Sequence, residues 1–373
     1  VKALTQEPAV PQELDKTTDD TGDEGMPTYG WEGWEGWEGW EGWEGWESRP
    51  RRAPAAALGS ARDGTVGHWD GSADRSPVQA GRDSWTAFRS MGARPRRIVT
   101  DRALGDLFAV DLGDTGLANA EGHVTCRARR IVTLTRPDDA LLAEHQLHYL
   151  RSYADLRPDR LGEINSQIGD LQSFYAMVGY MSPEATPWTI ALNLAVLRLC
   201  AAIEMPLKHG FDVPRPIAMS YKVQPVIQTP GHGAWPSGHA TEAFATATLL
   251  TRLFYNRGFD PVAEIHGENE LYRHAARIAM NRTVAGVHFP TDSMAGAVLG
   301  ITLAEALVRL LDAEPTTPAR RFRGDSYQGD FNLFLLSSAL GDDAVIETTS
   351  APCDGPALPA WLRRMWSEAQ GEW

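Results

Sequence analysis

The sequence predicts an all-α fold, a soluble helical bundle of about six core helices, and three observations lead there. From Pro137 onward, apolar residues recur at helical spacing. Proline, glycine and aspartate punctuate that pattern at intervals suited to helices. The residues least expected in a core, several Lys, Arg and His, gather at the punctuation rather than along an exposed face.

The elements follow in order. Residues 1–90 are rich in Gly, Pro, Ser and charged residues and contain a tandem Gly-Trp-Glu run from Gly30 to Glu47. A period of three suits neither helix nor strand, so this region reads as low-complexity and disordered, with an acidic-aromatic docking tract as the sharper alternative. Residues 91–136 hold two copies of Arg-Arg-Ile-Val-Thr, at 96–100 and 129–133, and read as a short-strand or irregular packing segment. Residues 137–315 are the helical domain. Its first helix follows Asp138, and the next five are expected at about 158–179, 185–207, 238–256, 260–281 and 288–312. Residues 316–373 read as loops with one short helix near 360–368.

Composition narrows the function classes. The 373 residues are 43% hydrophobic and 23% charged, ordinary for a globular chain. A net charge of -14 argues against nucleic acid or an anionic membrane as partner. Cys126, Cys200 and Cys353 are widely spaced, with no metal or redox pattern. The two longest apolar stretches are interrupted by Asn193 and Arg198 and by Glu305 and Arg309, which favours a soluble protein without membrane spans. The chain shows no signal-peptide pattern, which fits the cytoplasm or secretion after leader removal. A homo-oligomer is compatible with such a bundle.

Three helix junctions carry the chemistry. Lys208-His-Gly-Phe-Asp-Val-Pro-Arg215-Pro216 closes the third helix, Trp235-Pro236-Ser237-Gly238-His239-Ala240 opens the fourth, and Asn281-Arg282 leads through His288 to Asp292 at the sixth. A multiply charged tetrahedral oxyanion needs several fixed cations and directed donors. Lys208 offers a point charge, while Arg215 and Arg282 offer planar forks that match pairs of oxygens. Ser237 and the Gly238 N–H add donors, the latter at a helix start. His288 is then available to bond the central atom, with Asp292 fixing its tautomer, and His239 to act as general acid or base.

The order Lys-x6-Arg-Pro, Pro-Ser-Gly-His, Arg-x5-His-x3-Asp resembles the pattern of the type 2 phosphatidic acid phosphatase superfamily, which also contains the vanadium-dependent haloperoxidases. The resemblance spans residues 137–312, with Asn281 standing where the family usually has Ser. It implies that Lys208, Arg215, Ser237, Gly238, Arg282 and His288 bind vanadate as cofactor, or phosphate in the phosphatase case. It implies His288 as the metal ligand, and His239, His288, Asp292 and Lys208 as the catalytic set. Pro-Ser-Gly-His-Ala is similar to the haloperoxidase version, whereas soluble bacterial acid phosphatases read Pro-Ser-Gly-His-Thr. His232, seven residues before His239, falls where bromide-using haloperoxidases carry a second histidine, although a plain loop histidine is the alternative. His232 and Trp235 are therefore the candidate halide pocket. The expected function is a haloperoxidase taking hydrogen peroxide and a halide, bromide or iodide over chloride, with a small organic acceptor as a further partner. A phosphomonoesterase acting through a phosphohistidine is the alternative.

Overall fold

The computed structural model describes residues 60–62, 64–65, 70–72, 82–112, 120–255 and 258–373. The Gly-Trp-Glu run, and the expectation of disorder attached to it, lies outside these residues.

Two helices directly precede the sheet, α1 (Ser84–Arg89) and α2 (Ala93–Gly105). The Arg96–Thr100 piece, expected as a short strand or irregular packing segment, lies inside α2. Pro95 falls in the first turn, where its missing N–H costs nothing, and Thr100 and Leu104, one turn apart, are the buried side chains. Packing of that face overrode the β-branched composition.

The second copy is a strand. β1 (Phe108–Leu112), β2 (Glu121–Cys126) and β3 (Arg129–Thr135) form an antiparallel meander. The β2–β3 hairpin turns on Arg127 and Ala128, with φ of 49° and 63°. Two consecutive left-handed residues make the tight turn that matches strand twist, a place usually taken by Asn-Gly. The Arg127 guanidinium fixes this turn by donating to the carbonyls of Cys353 (3.1 Å) and Pro356 (2.7 Å).

The helical domain then runs through α3 (Leu147–Tyr153), α4 (Arg157–Gly169), α5 (Gln172–Ala176), α6 (Pro187–Phe211), α7 (Gly238–Tyr255), α8 (Pro261–His266), α9 (Glu270–Ala285) and α10 (Pro290–Leu311). Two expected helices are broken. The 158–179 span divides at extended Asp170, whose carboxylate caps Ser173 N at 2.9 Å. The 260–281 span divides after Gly267, where Glu268 has φ 53° and Asn269 caps α9. Helix α10 begins at Pro290, not 288, so His288 precedes it.

Beyond α10 lie β4 (Thr316–Arg323), α11 (Leu333–Leu340), β5 (Ile346–Pro352) and α12 (Ala360–Gln370). β4 joins β3 in parallel and pairs antiparallel with β5, completing a mixed sheet of order β1-β2-β3-β4-β5. This sheet overturns the all-α expectation. β4 reads Thr-Thr-Pro-Ala-Arg-Arg-Phe-Arg, with no apolar alternation to announce a strand. Its Arg320 is buried because Glu305 of α10 meets it at 2.8 Å, a partner supplied by tertiary structure alone.

Helices α7 and α10 are buried along nearly their whole length and cross at two glycines. A Cβ on Gly300 would lie 2.2 Å from Thr241 O, and one on Gly296 2.5 Å from Ser237 O. That close approach presses the start of α7 against the start of α10, where Ser237 N donates to Asp292 O at 2.9 Å.

Among the described residues, two helical runs, Pro187–Met219 and Pro290–Leu311, are by length and composition apolar enough to cross a membrane. The polar interruptions counted against spans are too few to exclude them, so the soluble reading loses that support. In this fold 61% and 94% of their apolar windows are buried by the chain itself.

Candidate functional site

The three junctions meet. Lys208, Arg215, Ser237, His239, Arg282, His288 and Asp292 are all between 0 and 6% exposed. Lys208 lies in the last turn of α6, where Asp212, left-handed at φ 43°, ends the helix by donating its N–H to Lys208 O. The Lys208 ammonium lies 3.5 Å from Gly233 O.

Arg215 is held from two sides. Its Nε donates to His232 O at 3.0 Å and its Nη1 to Val287 O at 2.9 Å. Nη1 also lies 3.0 Å from His288 Nε2, and Nη2 lies 3.2 Å from His232 Nδ1. Half-buried His232 is thus brought to the cluster through Arg215. Trp235, its proposed companion, is fully buried, with its ring edge-on to Phe211 at 4.8 Å, so a role against halide rests on the resemblance alone.

His288 and Asp292 form the contact expected of them by a different route. Because α10 starts at Pro290, they are not on one helical face. Instead Asp292, in the first turn, reaches back so that Oδ2 accepts from Phe289 N and from His288 Nδ1, both at 2.9 Å. A carboxylate can only accept, so Nδ1 carries the hydrogen and Nε2 keeps its lone pair toward Arg215. That lone pair is what a metal ligand and a nucleophile both require.

His239 is oriented oppositely. Its Nε2 lies 3.0 Å from the carbonyl oxygen of Gln167, so Nε2 carries the hydrogen and Nδ1 is the nitrogen that can exchange a proton. Arg282 packs beside it, Nη1 3.4 Å from the same nitrogen, while Nη2 donates to Ile164 O (3.2 Å) and Gln167 Oε1 (2.9 Å). Glu242, one turn after His239, is buried as well.

Close packing requires glycine at position 238. A Cβ there would meet Glu204 Oε1 at 2.6 Å, so glycine lets α7 start against α6. Ser237 Oγ, fully buried at that start, has no hydrogen-bond partner. An orphaned hydroxyl among buried cations fits a bound oxyanion, which would accept its hydrogen. The residues present therefore fit phosphate or vanadate. The three cysteines are free and buried, their thiols pushed up by burial, Cys126 to about 12, which makes them poor nucleophiles.

Sequence reasoning missed Gln167. It sits in the last turn of α4, 1% exposed, and nothing in its local pattern separates it from a surface glutamine.

A family model described as the PAP2 superfamily matches residues 188–315, which contain every residue of the cluster except Gln167. The vanadium-dependent bromoperoxidase of Ascophyllum nodosum is 31% identical over 146 residues, covering 34% of this chain and 25% of that protein. The chain thus spans about a quarter of the length of that curated relative. Among solved structures, a transmembrane PAP2 type phosphatidylglycerolphosphate phosphatase from Bacillus subtilis is 19% identical and covers 47% of this chain and 88% of its own, with a TM-score of 0.36. A likeness of that size carries no argument about fold or activity.

Proposed function

From the premise that residues 188–315 form a PAP2 superfamily domain, which covers haloperoxidases and phosphatases alike, we propose that this protein is a vanadate-dependent haloperoxidase. It would use hydrogen peroxide to oxidise bromide or iodide. The observation that carries the choice is His232 beside Arg215, at 3.2 Å, which puts a second, half-buried histidine at the edge of the cluster. The 31% identity to a bromoperoxidase supports the same reading.

Vanadate, when bound, supplies the Lewis-acidic centre that activates peroxide for a two-electron oxidation of halide. Lys208, Arg215 and Arg282 would balance its charge, and Ser237 Oγ would serve as a further donor. His288 Nε2 would hold the central atom, and Asp292, by accepting from Nδ1, fixes the tautomer that turns the Nε2 lone pair toward it. Overall, peroxide is reduced to water while halide becomes hypohalous acid, with uptake of one proton. His239 Nδ1 is the nitrogen that would exchange protons at the site, its ring held by the Gln167 carbonyl.

The second reading, a phosphomonoesterase, is favoured by the same His288 geometry. A lone pair oriented by Asp292 serves equally to attack phosphorus. The deciding experiment pre-incubates the protein with orthovanadate and follows bromination of monochlorodimedone with peroxide and bromide. Hydrolysis of p-nitrophenyl phosphate is measured in parallel without vanadate. Vanadate-dependent bromination is the expected result. Phosphate release with no bromination would overturn the haloperoxidase and leave the phosphatase.

A further inference from the structure

We propose that Gln167 is a positioning residue that registers the cation Arg282 and the acid–base histidine His239 against each other, an inference that rests on reading the cluster as an oxyanion site. One residue touches both. Its side-chain Oε1 accepts from Arg282 Nη2 at 2.9 Å, and its main-chain oxygen lies 3.0 Å from His239 Nε2. The carbonyl is available because Gln167 is in the last turn of α4, where carbonyls have no intrahelical donor. The negative end of the helix dipole there also favours a hydrogen-bearing Nε2.

The side chain is itself fixed. Asn281 Nδ2 donates to Gln167 Oε1 at 3.0 Å and to Glu163 Oε2 at 3.1 Å, while Asn281 Oδ1 accepts from Arg160 Nη1 at 3.2 Å. Each of these donors leaves one assignment of each amide, so neither can flip without losing a bond. Glu163 in turn pairs with Arg277. A continuous path therefore runs from a surface ion pair through Asn281 and Gln167 to the guanidinium of Arg282. The Asn281 departure from the family pattern becomes intelligible, since a longer side chain with two amide hydrogens reaches both Glu163 and Gln167.

The test uses the full chain and two probes, orthovanadate and inorganic phosphate, titrated by isothermal calorimetry, with thermal melts to confirm folding. Gln167→Met keeps the volume and removes the acceptor. Gln167→Glu keeps the acceptor and sets a negative charge against Arg282. Both are expected to weaken anion binding about tenfold or more, since a hydrogen bond to a charged group is involved. In an Arg282→Ala background, Gln167→Met should cost less than about twofold further, because its effect passes through that arginine. A merely structural glutamine would instead weaken binding equally in both backgrounds, and that result overturns the proposal. Wild-type affinity in both single variants overturns it as well. If the wild-type chain binds neither anion, the oxyanion-site reading falls and takes this inference with it. Binding by wild type that is unchanged in the variants removes this inference alone.

Discussion

Asp292→Ala probes the geometry on which either chemistry depends. Asp292 is fully buried, and one oxygen, Oδ2, accepts two hydrogen bonds of 2.9 Å, from His288 Nδ1 and from Phe289 N. Truncation leaves both donors buried without an acceptor. With hydrogen bonds to charged groups contributing about 1.5–3 kcal/mol each, and some relaxation at the site, the fold should lose about 3 kcal/mol. The imidazole is then free to change tautomer, and a partner of this kind sets ligand affinity by about 10–100-fold. Asp292→Asn separates charge from geometry. Its amide oxygen can take the place of Oδ2 and keep both bonds, while its NH2 would replace Oδ1, which has no hydrogen-bond partner. The order of orthovanadate affinity should therefore be wild type, then Asn, then Ala, with the Ala variant weaker by at least about tenfold. Calorimetric titration with orthovanadate, beside thermal melts, reads both effects. A folded Asp292→Ala variant that binds orthovanadate as tightly as wild type would refute the argument that His288 is oriented through Nδ1.

Other perturbations have equally definite outcomes. His288→Ala should abolish vanadate retention on gel filtration, or phosphoenzyme formation in the alternative chemistry, and full activity in that variant would remove His288 from its role. Gly300→Ala would drive a methyl to 2.2 Å from the backbone oxygen of Thr241, which is not a flexible neighbour. Overpacking of this sort costs about 1–3 kcal/mol, and because Ser237 immediately precedes α7 and His239 lies in its first turn, anion affinity should fall together with the melting temperature. Glu163 is held below the usual carboxylate range by Arg277 first and by Asn281 after desolvation opposes it. A depressed folded value gives stability that is present above the unfolded value, about 4.3, and lost as pH falls through the lower folded one. Arg277→Met should therefore narrow the difference in melting temperature between pH 6 and pH 3, and an unchanged difference would show that the pair does not shape acid stability.

Much of the site was legible because charge and chemistry are local properties. Lys208, Arg215, Arg282 and His288 stand at helix ends that proline and glycine mark in the sequence, and the structure brings them together. The two helices containing Gly238 and Leu299 were legible for a similar reason, since unbroken apolar spacing over some five turns has few other solutions. The bends at Asp170 and Glu268 were hidden because a break of one to three residues scarcely alters the apolar spacing.

What the sequence determined by itself was therefore the donor set, its spacing and the helices that present it, all consequences of residue type and short-range periodicity. The tertiary structure decided the rest. It paired β3 with β4 across more than 180 residues, a contact for which neither strand carries a local signal. It buried Arg320 by supplying Glu305, and it joined His239 to Arg282 through Gln167, a residue from another helix. Long-range partners change what a side chain costs to bury, and that cost is set only when distant segments of chain meet.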